Sequence, residues 1–441
     1  MLLEFTVGNY YSIKDETTLN MVSTKNSNST NDDHLLENII KSDEGNILKS
    51  TVLFGANGSG KSNFIAGMNF FKHFVKNSFK DYTIGDKINI KPFLFYEENI
   101  KAPSLFEIVF IQDRLRYRYG FEVNKNRVES EWLYVKYSSR ESQLFYRDNS
   151  GPIELGTKLK NVKKYLNSNG TVRENALFLS TLVQNGVEDD VKVVAEFVNN
   201  IIMIGETDEN FAKTVELLDD ETNNKYRNEI IEIMKSVDFG LDDLKISKTN
   251  VDFKEELKDL PEELKGYFFN KLEIDAEELS DFIKMEIGSK HKVYKNENEF
   301  SRFEYLDFNE ESLGTRKFFA LIGVILDSIY NGKIIFVDEL ESSLHVFLVE
   351  FIVKMFNSSK NCFGGQLIFS THNTSLLNSS LFRRDQIWFV EKNNIGASNL
   401  KSLSDFKIRK DLVFETNYKL GKFGAIPFIK ELQIIGELDE C

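Results

Sequence analysis

The run Gly55-Ala56-Asn57-Gly58-Ser59-Gly60-Lys61-Ser62 has the spacing G-x-x-x-x-G-K-[ST]. A loop of this kind curls its backbone N–H groups around phosphate oxygens, and a helix that starts at its end adds positive potential. In such a cradle Lys61 reaches the terminal phosphates and the Ser62 hydroxyl sits on Mg2+. The flanks agree with this reading. Thr51-Val52-Leu53-Phe54 is a short apolar run of the type found in buried parallel strands, and Phe64, Met68, Phe71 and Val75 recur at helical spacing from Lys61 onward.

A second constellation ends another apolar run. Ile334-Ile335-Phe336-Val337 leads into Asp338 and Glu339. A carboxylate at the end of a buried strand can hold Mg2+, which is the role expected of Asp338. Glu339 stands one residue further along, where a base can orient and polarise a water in line with the γ-phosphate.

Two further elements carry phosphate chemistry. Ser312-Leu313-Gly314-Thr315 precedes an apolar-periodic helix over 316–329, so Ser312, Gly314 and Thr315 form a small, hydroxyl-bearing helix start. This is a second phosphate-binding device, or else an ordinary capped helix end. One P-loop serves one phosphate chain, so the second cradle has none of its own to hold. The economical arrangement is that it closes over the γ-phosphate of a partner copy. His372 ends the run Leu367-Ile368-Phe369-Ser370-Thr371, at the strand end where α/β sheets bind ligands. There an imidazole can donate to the γ-phosphate. His345, in Glu341-Ser342-Ser343-Leu344-His345, reads equally as a contact to a dimer partner or as part of a helix start.

These groups need a scaffold. Strand-length apolar runs at 333–337, 366–370 and 386–390 alternate with helical stretches, as in a parallel sheet with crossover helices. Between 104 and 146 the pattern is instead alternating, with turn signals at Gln112-Asp113 and Asn124-Lys125-Asn126, which predicts an antiparallel meander. In it, 114–119 puts Arg114, Arg116 and Arg118 on one face. The stretch 187–279 reads as helical and acidic, with Ile230, Met234 and Val237 on one face and a further helical segment opening at Pro261. Residues 26–33 read as a polar loop. The expected class is α/β: an N-terminal lobe over 1–186, a mainly helical insertion over 187–299, and a C-terminal lobe with its tail over 300–441.

Composition narrows the function classes. Hydrophobic residues make up 41% of the 441 and charged residues 28%, as in a globular protein. The net charge of −14 argues against a dedicated nucleic-acid binder, which needs an electropositive face, though not against a local basic groove. Only Cys362 and Cys441 are present, too few for a disulfide framework, so a reducing cytoplasmic setting is expected. No apolar run is long enough to span a membrane, and the first residues lack the pattern of a signal peptide.

Taken in order, the P-loop, Ser-x-Gly-Thr, hydrophobic-Asp-Glu and Ser-Thr-His elements resemble the head domain of ABC ATPases of the RecF/SMC kind. More closely, the chain resembles the bacterial AAA families fifteen and twenty-one, including the RloA and AbiLi ATPases of phage-defence and abortive-infection loci. The likeness covers about 1–185 and 300–430. It extends to the opening Phe5-Thr6-Val7-Gly8-Asn9-Tyr10-Tyr11-Ser12-Ile13-Lys14, to Arg173-Glu174-Asn175-Ala176-Leu177-Phe178-Leu179-Ser180, and to Gly421-Lys422-Phe423-Gly424-Ala425-Ile426-Pro427. The resemblance implies ATP and Mg2+ as cofactors, a head-to-tail homodimer around the nucleotide, and a linked effector protein such as a TOPRIM-type nuclease or toxin. The alternative that it leaves open is a RecF/SMC-like ATPase acting on DNA. Tyr11 stands where related heads often carry a basic residue, Val346 replaces the proline of Ser-Leu-His-Pro, and no glutamine for a Q-loop lies between Lys61 and Lys101.

Overall fold

A computed structural model describes residues 1–24, 33–168, 170–187, 190–205, 208–219, 224–237, 239–251, 282–297, 299–407 and 413–426. Residues 26–32 of the loop predicted over 26–33, the helical segment opening at Pro261, and Pro427 and Cys441 lie outside them. The chain divides into two compact units, one of Met1–Glu206 with Asp327–Cys441 and the other of Thr207–Leu326.

In the first unit the apolar runs become a six-stranded sheet. Its order is β11 (Ile201–Ile204), β15 (Ile334–Val337), β16 (Gln366–Thr371), β5 (Ser50–Phe54), β17 (Ile387–Lys392) and β18 (Ser398–Ser402). All neighbours are parallel except β17 and β18. Every residue of β5, β15 and β16 is buried, which is why these strands read as unbroken apolar runs rather than as alternation. The register sets Phe54 opposite Thr371 and Val337 opposite Phe369, so the three strands end together at one edge of the sheet.

A seven-stranded antiparallel sheet accompanies it. The order is β10 (Glu154–Leu155), β9 (Glu141–Asp148), β8 (Val128–Lys136), β7 (Leu115–Val123), β6 (Ser104–Gln112), β1 (Leu2–Gly8) and β2 (Thr17–Asn20). A separate hairpin joins β3 (Ile39–Ser42) to β4 (Gly45–Leu48). Helix α1 (Lys61–Asp81) buries Phe64, Met68, Phe71, Phe74 and Val75. Its rings meet those of the antiparallel sheet, with Phe5 and Phe64 at 5.3 Å and Phe71 stacked on Phe121 at 5.6 Å. The short α2 (Glu97–Lys101) precedes β6, and α3 (Phe178–Gln184) and α4 (Asp190–Asn199) follow the meander.

The β6–β7 turn corrects one expectation. Asp113 and Arg114 both have positive φ, 51° and 64°, the geometry of a tight hairpin. Arg114 therefore sits in the turn, and only Arg116 and Arg118 stand on the strand.

The second unit holds α5 (Asp208–Asp219), α6 (Asn224–Ser236) and most of α7 (Leu313–Asn331), whose last turns belong to the first unit. Helices and strands share it among the described residues. A three-stranded antiparallel sheet runs in the order β12 (Leu241–Val251), β13 (Phe282–Asn296) and β14 (Glu299–Asp307). The unit limits fall at 206/207 and 326/327, whereas the sequence reading puts them at 186/187 and 299/300. Ile230 and Met234 are buried on α6, as the spacing predicts. No helix among the described residues is long and apolar enough to cross a membrane.

Candidate functional site

The loop 55–60 leaves β5 and enters α1 through two residues of left-handed backbone, Gly58 at φ 76° and Gly60 at φ 111°. Gly60 is also required by space, because a Cβ there would run into the hydroxyls of Ser398 and Ser12. Those two serines buttress the loop. Ser398 Oγ donates to the Ser59 carbonyl at 2.6 Å and lies 2.8 Å from Ser12 Oγ, which accepts from Asn63 Nδ2 at 2.7 Å. Asn57, Gly58 and Ser62 face solvent, whereas Ser59, Gly60 and Lys61 are buried.

Lys61 folds back over its own loop, its Nζ donating to the carbonyls of Gly55 at 2.7 Å and Ala56 at 3.1 Å. Burial holds its pKa below the ordinary lysine value, and the nearby charges of Asp338, Glu339 and Glu341 oppose that shift. The same charges mark what the fold brings together: the lysine after β5 and three carboxylates after β15.

Ser370, near the end of β16 between those two strands, ties the carboxylates down. Its hydroxyl donates to Asp338 Oδ1 and accepts the Glu339 backbone N–H at 2.8 Å. Glu339 itself has φ 50°, an unusual conformation for a residue with a Cβ, and its side chain is exposed. His372 lies just past the end of β16. Its Nδ1 is 3.2 Å from Glu341 Oε1, and the same oxygen accepts the His372 backbone N–H at 2.8 Å. The other oxygen, Glu341 Oε2, is buried without a hydrogen-bond partner. Spacing did not single out Ser370 or Glu341. The only sequence signals for them were adjacency to the strand-end His372 and to Glu339.

His345 is a helix cap. Its Nδ1 accepts the Phe347 N–H at 3.3 Å at the head of α8 (Val346–Asn357). Ser312 also caps: its Oγ accepts the Thr315 N–H at 3.1 Å and lies 2.8 Å from the Thr315 hydroxyl. Ser312 and Leu313 are exposed, Gly314 is half-buried and Thr315 is buried, so the first amides of α7 stand at a surface of the second unit. The preceding Glu311 is anchored to β13 by His291 Nε2 at 2.7 Å.

The sequence model of a protein family described as "AAA domain, putative AbiEii toxin, Type IV TA system" matches residues 50–378. The chain belongs to this AAA family. A search of curated proteins finds no match. Among solved structures, the SMC head domain from Thermotoga maritima is 11% identical with a TM-score of 0.38, over 91% of this chain and 98% of that one. An SmcHead bound to the C-winged helix domain of ScpA is 12% identical with a TM-score of 0.43, over 95% and 99%. An Smc head domain with an extended coiled coil, bound to the C-terminal domain of ScpA derived from Pyrococcus furiosus, is 14% identical with a TM-score of 0.35, over 96% and 98%.

The AAA domain's cradle fits a triphosphate. The Ser59 hydroxyl is buried without a protein partner, and a Cβ on Gly55 would meet the Val390 carbonyl and lie 2.6 Å from Ser59 Oγ. No group of three or more His, Cys, Asp or Glu side chains among the described residues is arranged to hold a metal ion. Mg2+ suits such a site, because it is commonly held by one or two protein oxygens together with phosphate oxygens and waters. Ser62 and Asp338 are the residues that can supply them.

Proposed function

We propose that this AAA protein is a Mg2+-dependent ATPase that dimerises head to tail around ATP and thereby controls an effector protein in antiphage defence. Gly55 to Ser62 cradle the phosphates, with Lys61 on the β/γ-phosphates and Ser62 and Asp338 on Mg2+. The ion supplies charge neutralisation between the β- and γ-phosphates. Glu339 orients the attacking water, His372 donates to the γ-phosphate, and Ser312, Gly314 and Thr315 of a second copy close the site.

The single observation that carries the reading is the position of Glu339. It follows Asp338 directly, is exposed to water, and contributes to the charge felt by the buried Lys61. A protein that only held ATP would have no use for a base there. Support for the effector is the family description, which names a toxin and a toxin–antitoxin system.

The rival reading, an ATPase acting on DNA, loses its main support. Arg116 lies 3.5 Å from Glu141, and Arg118 lies 2.9 Å from Glu141 and 3.2 Å from Glu107, so this sheet face is an ion-pair lattice rather than a free basic groove.

The test is Glu339→Gln. Turnover should be lost while ATP-Mg2+ traps the variant in a closed head-to-tail pair, read as ATP retained through gel filtration. A variant that retains no more ATP than the parent, or that hydrolyses at the parent rate, would overturn the ATPase reading. An effector should co-purify with the full chain, and its gene should neighbour this one.

A further inference from the structure

The second unit carries a surface that the nucleotide site does not use. Among the described residues strand β14 is an edge of its sheet, and eight of its nine residues are exposed. Three of the exposed side chains are aromatic rings, with Phe300 at 47%, Phe303 at 42% and Tyr305 at 47%. Phe300 and Phe303 touch at 4.9 Å, and Lys290 of β13 lies 4.1 Å over the Phe303 ring. A long edge strand rich in aromatics presents unpaired backbone groups and is a template for another strand. It is not blunted by a proline or an internal lysine, two common defences of such an edge.

We propose that β14 pairs antiparallel with β14 of a second copy, joining two three-stranded sheets into one of six strands. The charge pattern suits a second copy, and charge with length of overlap selects the register, since setting Arg302 against Asp307 would overlap only residues 302–307. With Phe303 opposite its own counterpart, Arg302 of each strand faces Glu304 of the other, Ser301 faces Tyr305 and Phe300 faces Leu306. All nine residues overlap, and the Arg302–Glu304 pair that each strand makes on itself at 3.0 Å is exchanged for two pairs across the two-fold axis. Shifting the axis by half a residue to either side leaves no opposite charges facing one another. Shifting it by a whole residue sets Arg302 against Arg302 or Glu304 against Glu304. The two end pairs, Glu299 of each strand with Asp307 of the other, bring like charges together. Both residues are already engaged, Glu299 by Lys295 at 3.2 Å and Asp307 by the Asn309 N–H at 2.9 Å. Directly opposed side chains in an antiparallel pair are close enough for these contacts to count.

This contact needs no nucleotide, so its test is separate from that of the ATP sandwich. Sedimentation of the full chain without nucleotide should show a dimer. Arg302→Glu alone and Glu304→Arg alone should each weaken it, by ~10- to 100-fold in dimer Kd, and the double variant should restore it. Arg302 and Glu304 are 64% and 62% exposed, so the swaps leave the core alone. A second readout is Phe303→Cys in a chain also carrying Cys362→Ser and Cys441→Ser. It should form a 303–303 disulfide under mild oxidation, whereas Tyr305→Cys in the same background should not. A nucleotide-free monomer, single variants that associate like the parent, a double variant that fails to recover, or a Tyr305→Cys chain that crosslinks as fast as Phe303→Cys would each overturn the pairing.

Discussion

One oxygen of Glu341 meets His372 twice, accepting its backbone N–H at 2.8 Å and lying 3.2 Å from its Nδ1. The Nδ1 contact with Glu341 fixes the ring's orientation and turns Nε2 away from the carboxylate, and both nitrogens can donate at once only in the imidazolium form. Partners of this kind commonly matter by one to two powers of ten. Glu341→Ala should therefore lower the kcat of ATP hydrolysis by ~10-fold with little change in KM for ATP. Glu341→Gln keeps an acceptor oxygen and should recover most of the loss. Steady-state kinetics on both variants checks it, and equal loss in the two would show that the charge, not the positioning, is what counts.

Ser370 joins the metal-side and water-side carboxylates through one hydroxyl. Ser370→Ala removes the donor to Asp338 and the acceptor that helps hold Glu339 at φ 50°. Two effects should follow together. The Mg2+ concentration for half-maximal rate should rise by ~3- to 10-fold, because an outer partner of a ligand is lost, and kcat at saturating Mg2+ should fall as Glu339 relaxes. A Mg2+ titration of the rate separates the two. An unchanged titration with an unchanged plateau would mean that the hydroxyl orients neither group.

The site was legible in the sequence where its chemistry is local in the chain. Gly55 to Ser62 and Asp338-Glu339 each occupy one short run, and their strands are buried enough to read as unbroken apolar stretches. What sequence spacing could not show are the groups that hold those runs in place. Ser398 reaches Ser12 across 386 positions, and Ser370 reaches Asp338 across 32. The sheet β12 to β14 is what the sequence reading leaves out beside the helices α5 and α6. Strand β14 is exposed on both faces, so it carries no alternation of apolar and polar residues, the one signal that would reveal a strand. Arg114 was misplaced because a tight hairpin needs two left-handed residues, and Asp113-Arg114 lacks the glycine that normally announces one.

The tail reaches the phosphate loop. The carbonyl of Ala425, itself at φ 59°, accepts the Ala56 N–H at 3.1 Å and the Tyr418 hydroxyl at 2.8 Å. Tyr418 lies on α9 (Phe414–Lys419), stacked on Phe389 of β17 at 5.4 Å. Ala56 is the second residue of the cradle, so this bond restrains the start of the loop. Tyr418→Phe keeps the stacking and deletes the hydroxyl. It should raise the KM for ATP by ~2- to 5-fold at nearly constant kcat, the range expected from one neutral hydrogen bond. Nucleotide titration measures it, and a fall in kcat alone would point away from the loop.

Glu131 is a buried carboxylate of the first unit with four donors around it, and its role is to hold the fold. It is fully buried on β8 and accepts from Arg147 Nε at 2.8 Å, the Tyr119 hydroxyl at 3.0 Å, and the N–H groups of Phe178 at 2.7 Å and Leu179 at 3.0 Å. It thus satisfies the first amides of α3 while neutralising a buried guanidinium. Arg147 in turn donates to the Ala176 carbonyl at 2.7 Å, so the run 173–180 is fastened to the meander from both sides. Glu131→Ala would leave the guanidinium uncompensated and two helix amides without an acceptor. Breaking a buried pair from one side costs about 3–5 kcal/mol, so urea denaturation of the variant should show a loss of that order. The double variant Glu131→Ala with Arg147→Met should regain part of it, since the stranded charge is gone. A single variant as stable as the parent would mean that water reaches the pair.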